Sequence, residues 1–168
     1  MDIAGLFEDS FGRIHESVHD VVDDASDAEL LFRPDAEANS IAWLVWHLTR
    51  VQDDHVAAAA TTEQVWISEG FVERFDLPFD RLAHGYGQSS REVGEVRVGA
   101  VLLAAYHDAV YARTAAFVGS LTDGDLDRIV DERFDPPVSL GVRLVSVIGD
   151  DLQHVGQAAY VLGLARRR

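Results

Sequence analysis

The sequence predicts an all-α fold: a four-helix bundle with a long connection between its second and third helices. Three observations lead there. Apolar residues recur at helical spacing in four long stretches. Capping and breaking residues bound those stretches. No strand-rich segment, internal repeat or low-complexity run interrupts them. The chain has 168 residues, of which 48% are hydrophobic, enough for one domain built around one core.

The first helix is expected from about Asp2 to Ala25, with Ile3, Leu6, Phe7, Ile14, Val18, Val21 and Val22 on its apolar face. Gly5 and Gly12 weaken it, and Arg33-Pro34-Asp35 is a breaker. The second helix has the clearest start. Asn39-Ser40 supplies an N-cap, and Ile41 to Trp46 follows as an unbroken apolar run continuing to about Ala60. A helix apolar on nearly all sides is central and buried. Residues 62–97 read as irregular, anchored by Trp66 and Phe71, with Gly85-Tyr86-Gly87 as a flexible loop. The third helix runs from about Val98 to Ser120, with Val101, Leu102, Ala105, Val110 and Phe117 as core. Arg133 to Pro137 is the last breaker. The fourth helix runs from near Val138 to about Leu164, with Leu140, Leu144, Val147, Ile148, Leu152, Val155, Ala159 and Leu162 inside. Gly141, Gly149, Gly156 and Gly163 within it predict close helix–helix packing.

Composition excludes several chemistries. With no cysteine there is no disulfide, thiolate nucleophile or Cys-ligated metal. All 14 basic residues are Arg, so no P-loop lysine or Schiff base exists. The 29 acidic residues give a net charge of −15, which repels nucleic acid and anionic membranes. Arg166-Arg167-Arg168 reads as a solvated end. The first residues lack the basic region of a signal peptide, and no run reaches the ~18 apolar residues of a spanning helix. A cytoplasmic protein acting on a small molecule is the expectation.

Chemistry concentrates in the second and fourth helices. His47 lies inside the apolar run, where an imidazole either completes its hydrogen bonds within the core or binds something. Asp150 and His154 are four apart, so they share one helix face and either bond each other or converge on one ion. Asp151 competes with Asp150 for that role, rotated about 100° around the helix. Two imidazoles and a carboxylate from facing helices suit a divalent metal such as Zn²⁺, Ni²⁺, Fe²⁺ or Mn²⁺. Such a metal lowers the pKa of a bound water or thiol. Asp54, two turns beyond His47, and Asp151 are candidate bases. His55 either lines the same cleft or lies on the surface. Gln157 follows His154 by three and can orient a ligand or water. Arg50 and Arg143 can receive a carboxylated thiol cofactor or form salt bridges. His107-Asp108 is a weaker candidate for the cleft, Trp43 and Trp46 read as core, and His15 and His19 form a solvated i,i+4 pair.

Ser40-Ile41-Ala42-Trp43-Leu44-Val45-Trp46-His47-Leu48 resembles the second-helix motif of the DinB-like superfamily. Asp150-Asp151-Leu152-Gln153-His154-Val155-Gly156-Gln157 resembles its fourth-helix motif, usually H-x-x-x-H-R-G-Q. The chain looks most like the actinobacterial branch that includes mycothiol-dependent enzymes. The resemblance implies a four-helix bundle, often a homodimer, with a divalent metal at one mouth held by His47, Asp150 and His154. Asp150 stands where His is usual, as Glu does in mycothiol-dependent maleylpyruvate isomerases, and Val155 stands where Arg is usual. The expected activity is a metal-dependent thiol S-transferase using a low-molecular-weight thiol such as mycothiol. The alternatives are a metal-dependent hydrolase and a non-catalytic, stress-related binding bundle that has lost its metal.

Overall fold

A computed structural model describes residues 1–168. Four long helices carry the fold: α1 (Ile3–Val22), α3 (Ile41–Ala60), α7 (Ala100–Val118) and α8 (Leu140–Ala165). They correspond to the first to fourth helices of the sequence reading. Short helices fill the connections: α2 (Asp27–Leu30) between the first two, and α4 (Val65–Ser68), α5 (Phe71–Phe75) and α6 (Ser90–Val93) between α3 and α7. A 3₁₀ turn at Asp123–Asp127 precedes a small antiparallel ribbon, β1 (Ile129–Asp131) with β2 (Val138–Ser139). No helix is long and apolar enough to cross a membrane.

The helix starts are chemically marked. Asp2 accepts from the Gly5 amide, Ser40 from Trp43 and Ser139 from Val142, each satisfying an orphan first-turn donor. The Ser40 cap sets the rotational phase of α3, and every residue from Ile41 to Arg50 is buried. Its most extensive partner is α8. On α8 the buried stripe runs Leu140, Leu144, Val147, Asp151, Val155, Ala158 and Leu162, the period of a bundle helix. The larger core surrounds α3 and takes in Trp66, Phe71 and Phe75 from the connection. A smaller one, with Phe7, Phe11, Ile14, Val118, Leu140 and Leu144, closes the end where α7 finishes and α8 begins.

Several positions expected inside lie outside. Leu6, Val101 and Leu152 are exposed, Val101 by 85%, and Ala159 also faces out. Each falls within about one residue of the true stripe, where a step of about 100° moves a side chain from core to solvent. The glycine expectation fails at Gly149 and Gly156, where a Cβ would meet nothing within 4 Å, whereas Gly141 lies close against Leu126 of the 3₁₀ turn, at 3.4 Å. The 62–97 connection is less irregular than expected, because its three short helices dock Trp66, Phe71, Phe75 and Val93 into the core.

Candidate metal centre

His47 on α3 meets Asp150 and His154 on α8, with one ligand-type atom from each lying within 4.8 Å of the others. The His47 and His154 rings stand 4.8 Å apart, edge to face. Both rings are held by their Nδ1 side. His47 Nδ1 donates to the main-chain carbonyl of His84, and His154 Nδ1 donates to Gln157 Oε1 at 3.0 Å. A carbonyl oxygen only accepts, so each Nδ1 carries a proton, and in the neutral ring Nε2 is the nitrogen that keeps its lone pair. His154 Nε2 lies 3.6 Å from Asp150 Oδ1, beyond a hydrogen bond. Asp150 Oδ2 is buried with no partner. Burial pushes the His47 imidazole below its ordinary value, favouring the neutral form that binds metals. Two imidazoles with Nε2 uncommitted and a carboxylate whose second oxygen has no partner, converging from two helices, fit a divalent cation.

The connection builds the fourth wall. Four successive carbonyls, from Arg81 to His84, accept from side chains of α4 and α3: Trp66 Nε1 at 2.7 Å, Arg50 Nη2 at 3.4 Å, Arg50 Nε at 3.1 Å, and His47 Nδ1. Trp43 Nε1 adds a bond to Gln88 Oε1 at 2.7 Å, and the Trp43 ring stacks on His47 at 4.6 Å. Gly85 sits at φ +97, and a Cβ there would lie 2.7 Å from His47 Nδ1 and 3.0 Å from Trp43. Only glycine lets the backbone approach the ring so closely. The Gly85-Tyr86-Gly87 segment, expected as a flexible loop, is thus pinned at its start.

Residues 11–158 match the family model of the DinB superfamily. The chain belongs to the DinB superfamily. Among curated proteins, none matches it. It is similar to a conserved protein from Enterococcus faecalis solved by crystallography, with TM-score 0.92 and 28% identity over 100% of this chain and 99% of that one.

Within this DinB bundle the other candidates separate. Asp151 cannot act as a base in the cleft. It is fully buried on the core stripe, neither oxygen has a partner, and burial pushes its carboxyl well above the usual range, helped by Asp150. Arg50 is also corrected. It is 0% exposed, spans the Leu82 and Ala83 carbonyls and Tyr106, and pairs with Asp53 at 3.6 Å, so no cofactor reaches it. Asp53, which sequence reasoning passed over, takes the Val65 and Trp66 amides and the Tyr106 hydroxyl, and so ties the connection to α3. His107 is buried against Thr49 and stacked on His15, away from the ligand group.

Asp54, His55 and Arg143 line a cleft of about 340 Å³. Asp54 lies seven residues beyond His47, and Arg143 seven before Asp150, so this cleft sits two turns, about 10 Å, along the same antiparallel seam. Asp54 accepts from Gln64 at 2.7 Å, and Arg143 is bound to Asp131 at 2.8 Å. Burial lowers the His55 pKa, as does Arg143. Sequence reasoning missed His84, Gly85 and Gln88. The available signal was an excess of N–H donors (Trp43, Trp66, Arg50 and His47) inside apolar surroundings, each needing an acceptor.

Proposed function

We propose that this chain is a divalent-metal-dependent enzyme, a thiol S-transferase of the mycothiol-using kind, with His47, Asp150 and His154 as ligands. One observation carries the reading: both imidazoles give their Nδ1 protons to carbonyl oxygens, leaving two Nε2 lone pairs beside an unpartnered carboxylate oxygen. A divalent ion held there supplies Lewis acidity that brings the ionisation of a bound thiol toward neutrality. The chain has no cysteine, so the thiol comes from outside. Gln157 and the His84 carbonyl orient the ligand rings, and Trp43 with the Gly85 segment covers the His47 side. The cleft beside Asp54, His55 and Arg143 receives the polar parts of the thiol or its acceptor.

A hydrolase is the second reading. It is favoured by His55, whose imidazole burial keeps neutral and able to accept a proton from water. Metal analysis of the purified protein and its His47→Ala variant tests both readings. One equivalent of divalent ion lost in the variant is the expected result. No difference between the two proteins under metal-replete conditions rejects both. Conjugation assays with mycothiol, bacillithiol and glutathione against a reactive acceptor then decide. Product with one thiol supports the transferase, whereas ester or amide hydrolysis with no conjugation replaces it by the hydrolase.

A further inference from the structure

We propose that His15, His19 and Asp108 form a second divalent-cation site, of zinc type, clamping α1 to α7. His15 Nε2 and His19 Nε2 each lie 2.8 Å from the same Oδ1 of Asp108. The two histidines are four apart on α1, the spacing that places two imidazoles over one point. Asp108 comes from the neighbouring helix, so an ion there bridges two elements. The acceptor and both donors already converge within 4.8 Å. Tetrahedral zinc at about 2.0–2.1 Å from each ligand needs edges of about 3.3 Å, reached by opening each imidazole–carboxylate contact by about half an ångström as the ion replaces the two Nε2 protons, which leave to solvent.

The ligands are also oriented from behind. His19 Nδ1 faces Asp23 Oδ1 at 3.0 Å, the carboxylate–imidazole arrangement that aims the opposite nitrogen at a metal. The His15 ring lies nearly parallel to Tyr111 at 4.2 Å and to His107 at 5.6 Å. The Asp108 side chain is 51% exposed, leaving room for water to complete the coordination. Imidazole nitrogens and one carboxylate select zinc, nickel or cobalt over calcium or magnesium. None of these residues belongs to the first cluster, and α1 contributes nothing to it, so this site stands independently of the proposed enzyme activity.

The test uses untagged full-length protein equilibrated with Zn²⁺ or Co²⁺, with bound metal counted after desalting. Asp108→Asn, and separately His15→Gln, should each remove one equivalent that His47→Ala leaves in place. With Zn²⁺ at about a hundred times Kd, Tm of His47→Ala should rise by about 5–10 °C. That rise should vanish when Asp108→Asn is added. Cobalt absorption in His47→Ala should show a tetrahedral or five-coordinate spectrum that Asp108→Asn abolishes. Identical stoichiometry in wild type, Asp108→Asn and His15→Gln overturns the proposal, and this comparison decides alone if His47→Ala fails to fold.

Discussion

The two histidine clusters use the same ligand types, two imidazoles and one aspartate, in opposite surroundings. At His47, Asp150 and His154 the rings are locked by carbonyl oxygens, a carboxylate oxygen is stranded, and a loop is folded over the top. At His15, His19 and Asp108 the imidazoles already bond to carboxylates, and solvent reaches the site. The first cluster leaves ligand-type atoms without protein partners. The second satisfies its own polar atoms without one, so an ion must displace existing bonds. Residue type therefore decides what a cluster can hold, and the partners of its other atoms decide how much holding it is worth.

If that contrast is right, damage to the buried cluster's scaffold has the larger effect. Asp53→Ala strands Arg50 and three donors, and should cost about 3–5 kcal/mol in urea unfolding. A cost below 1 kcal/mol would mean that the connection is held by packing alone. Gln157→Ala removes the acceptor behind His154 and should weaken divalent-metal binding about ten- to hundredfold by calorimetric titration, with little change in melting temperature. Gly85→Ala should cost about 2 kcal/mol through its positive φ and the collision with His47, and should lower metal affinity as well.

The next test sits beside the second cluster. Burial holds the His107 imidazole down at about 3, with the neighbouring His15 adding to the effect. Between about pH 6.5 and 3 the unfolded histidine carries a proton that the folded one lacks. Stability is therefore fully present above the unfolded value and falls with pH by about 1.4 kcal/mol per unit through that window. A His107→Asn variant should lose this slope, read as the difference between the two proteins' unfolding free energies from pH 7 to 4. The smallest effect is expected at the exposed partners. Asp23→Asn should change metal-free stability by less than about 1 kcal/mol, because the ion pair with His19 is solvent-screened.

The long helices were legible because their signals are local. A cap at Ser40 followed by an apolar run, and a stripe repeating along α8, need no knowledge of the rest of the chain. The i,i+4 spacing of Asp150 and His154 likewise puts both on one face whatever α8 packs against. The convergence of His47 with them followed from pairing two facing helices. Spacing alone did not choose between Asp150 and Asp151, and only the family resemblance favoured Asp150: one residue turns a side chain by about 100°, and the packing of α8 puts Asp151 in the core.

By itself, then, the sequence determined the four helices, the Ser40 cap and which residues share a face, since helical periodicity is a property of neighbours in the chain. Tertiary structure decided where the hydrogen bonds go. Every residue carries a backbone carbonyl, so nothing in the sequence marks those from Arg81 to His84 as the acceptors for Trp66, Arg50 and His47. Nor does it mark Asp108, far along the chain, as the partner of His15 and His19. Such contacts depend on how distant segments cross, and that crossing is settled by the packing of the whole core.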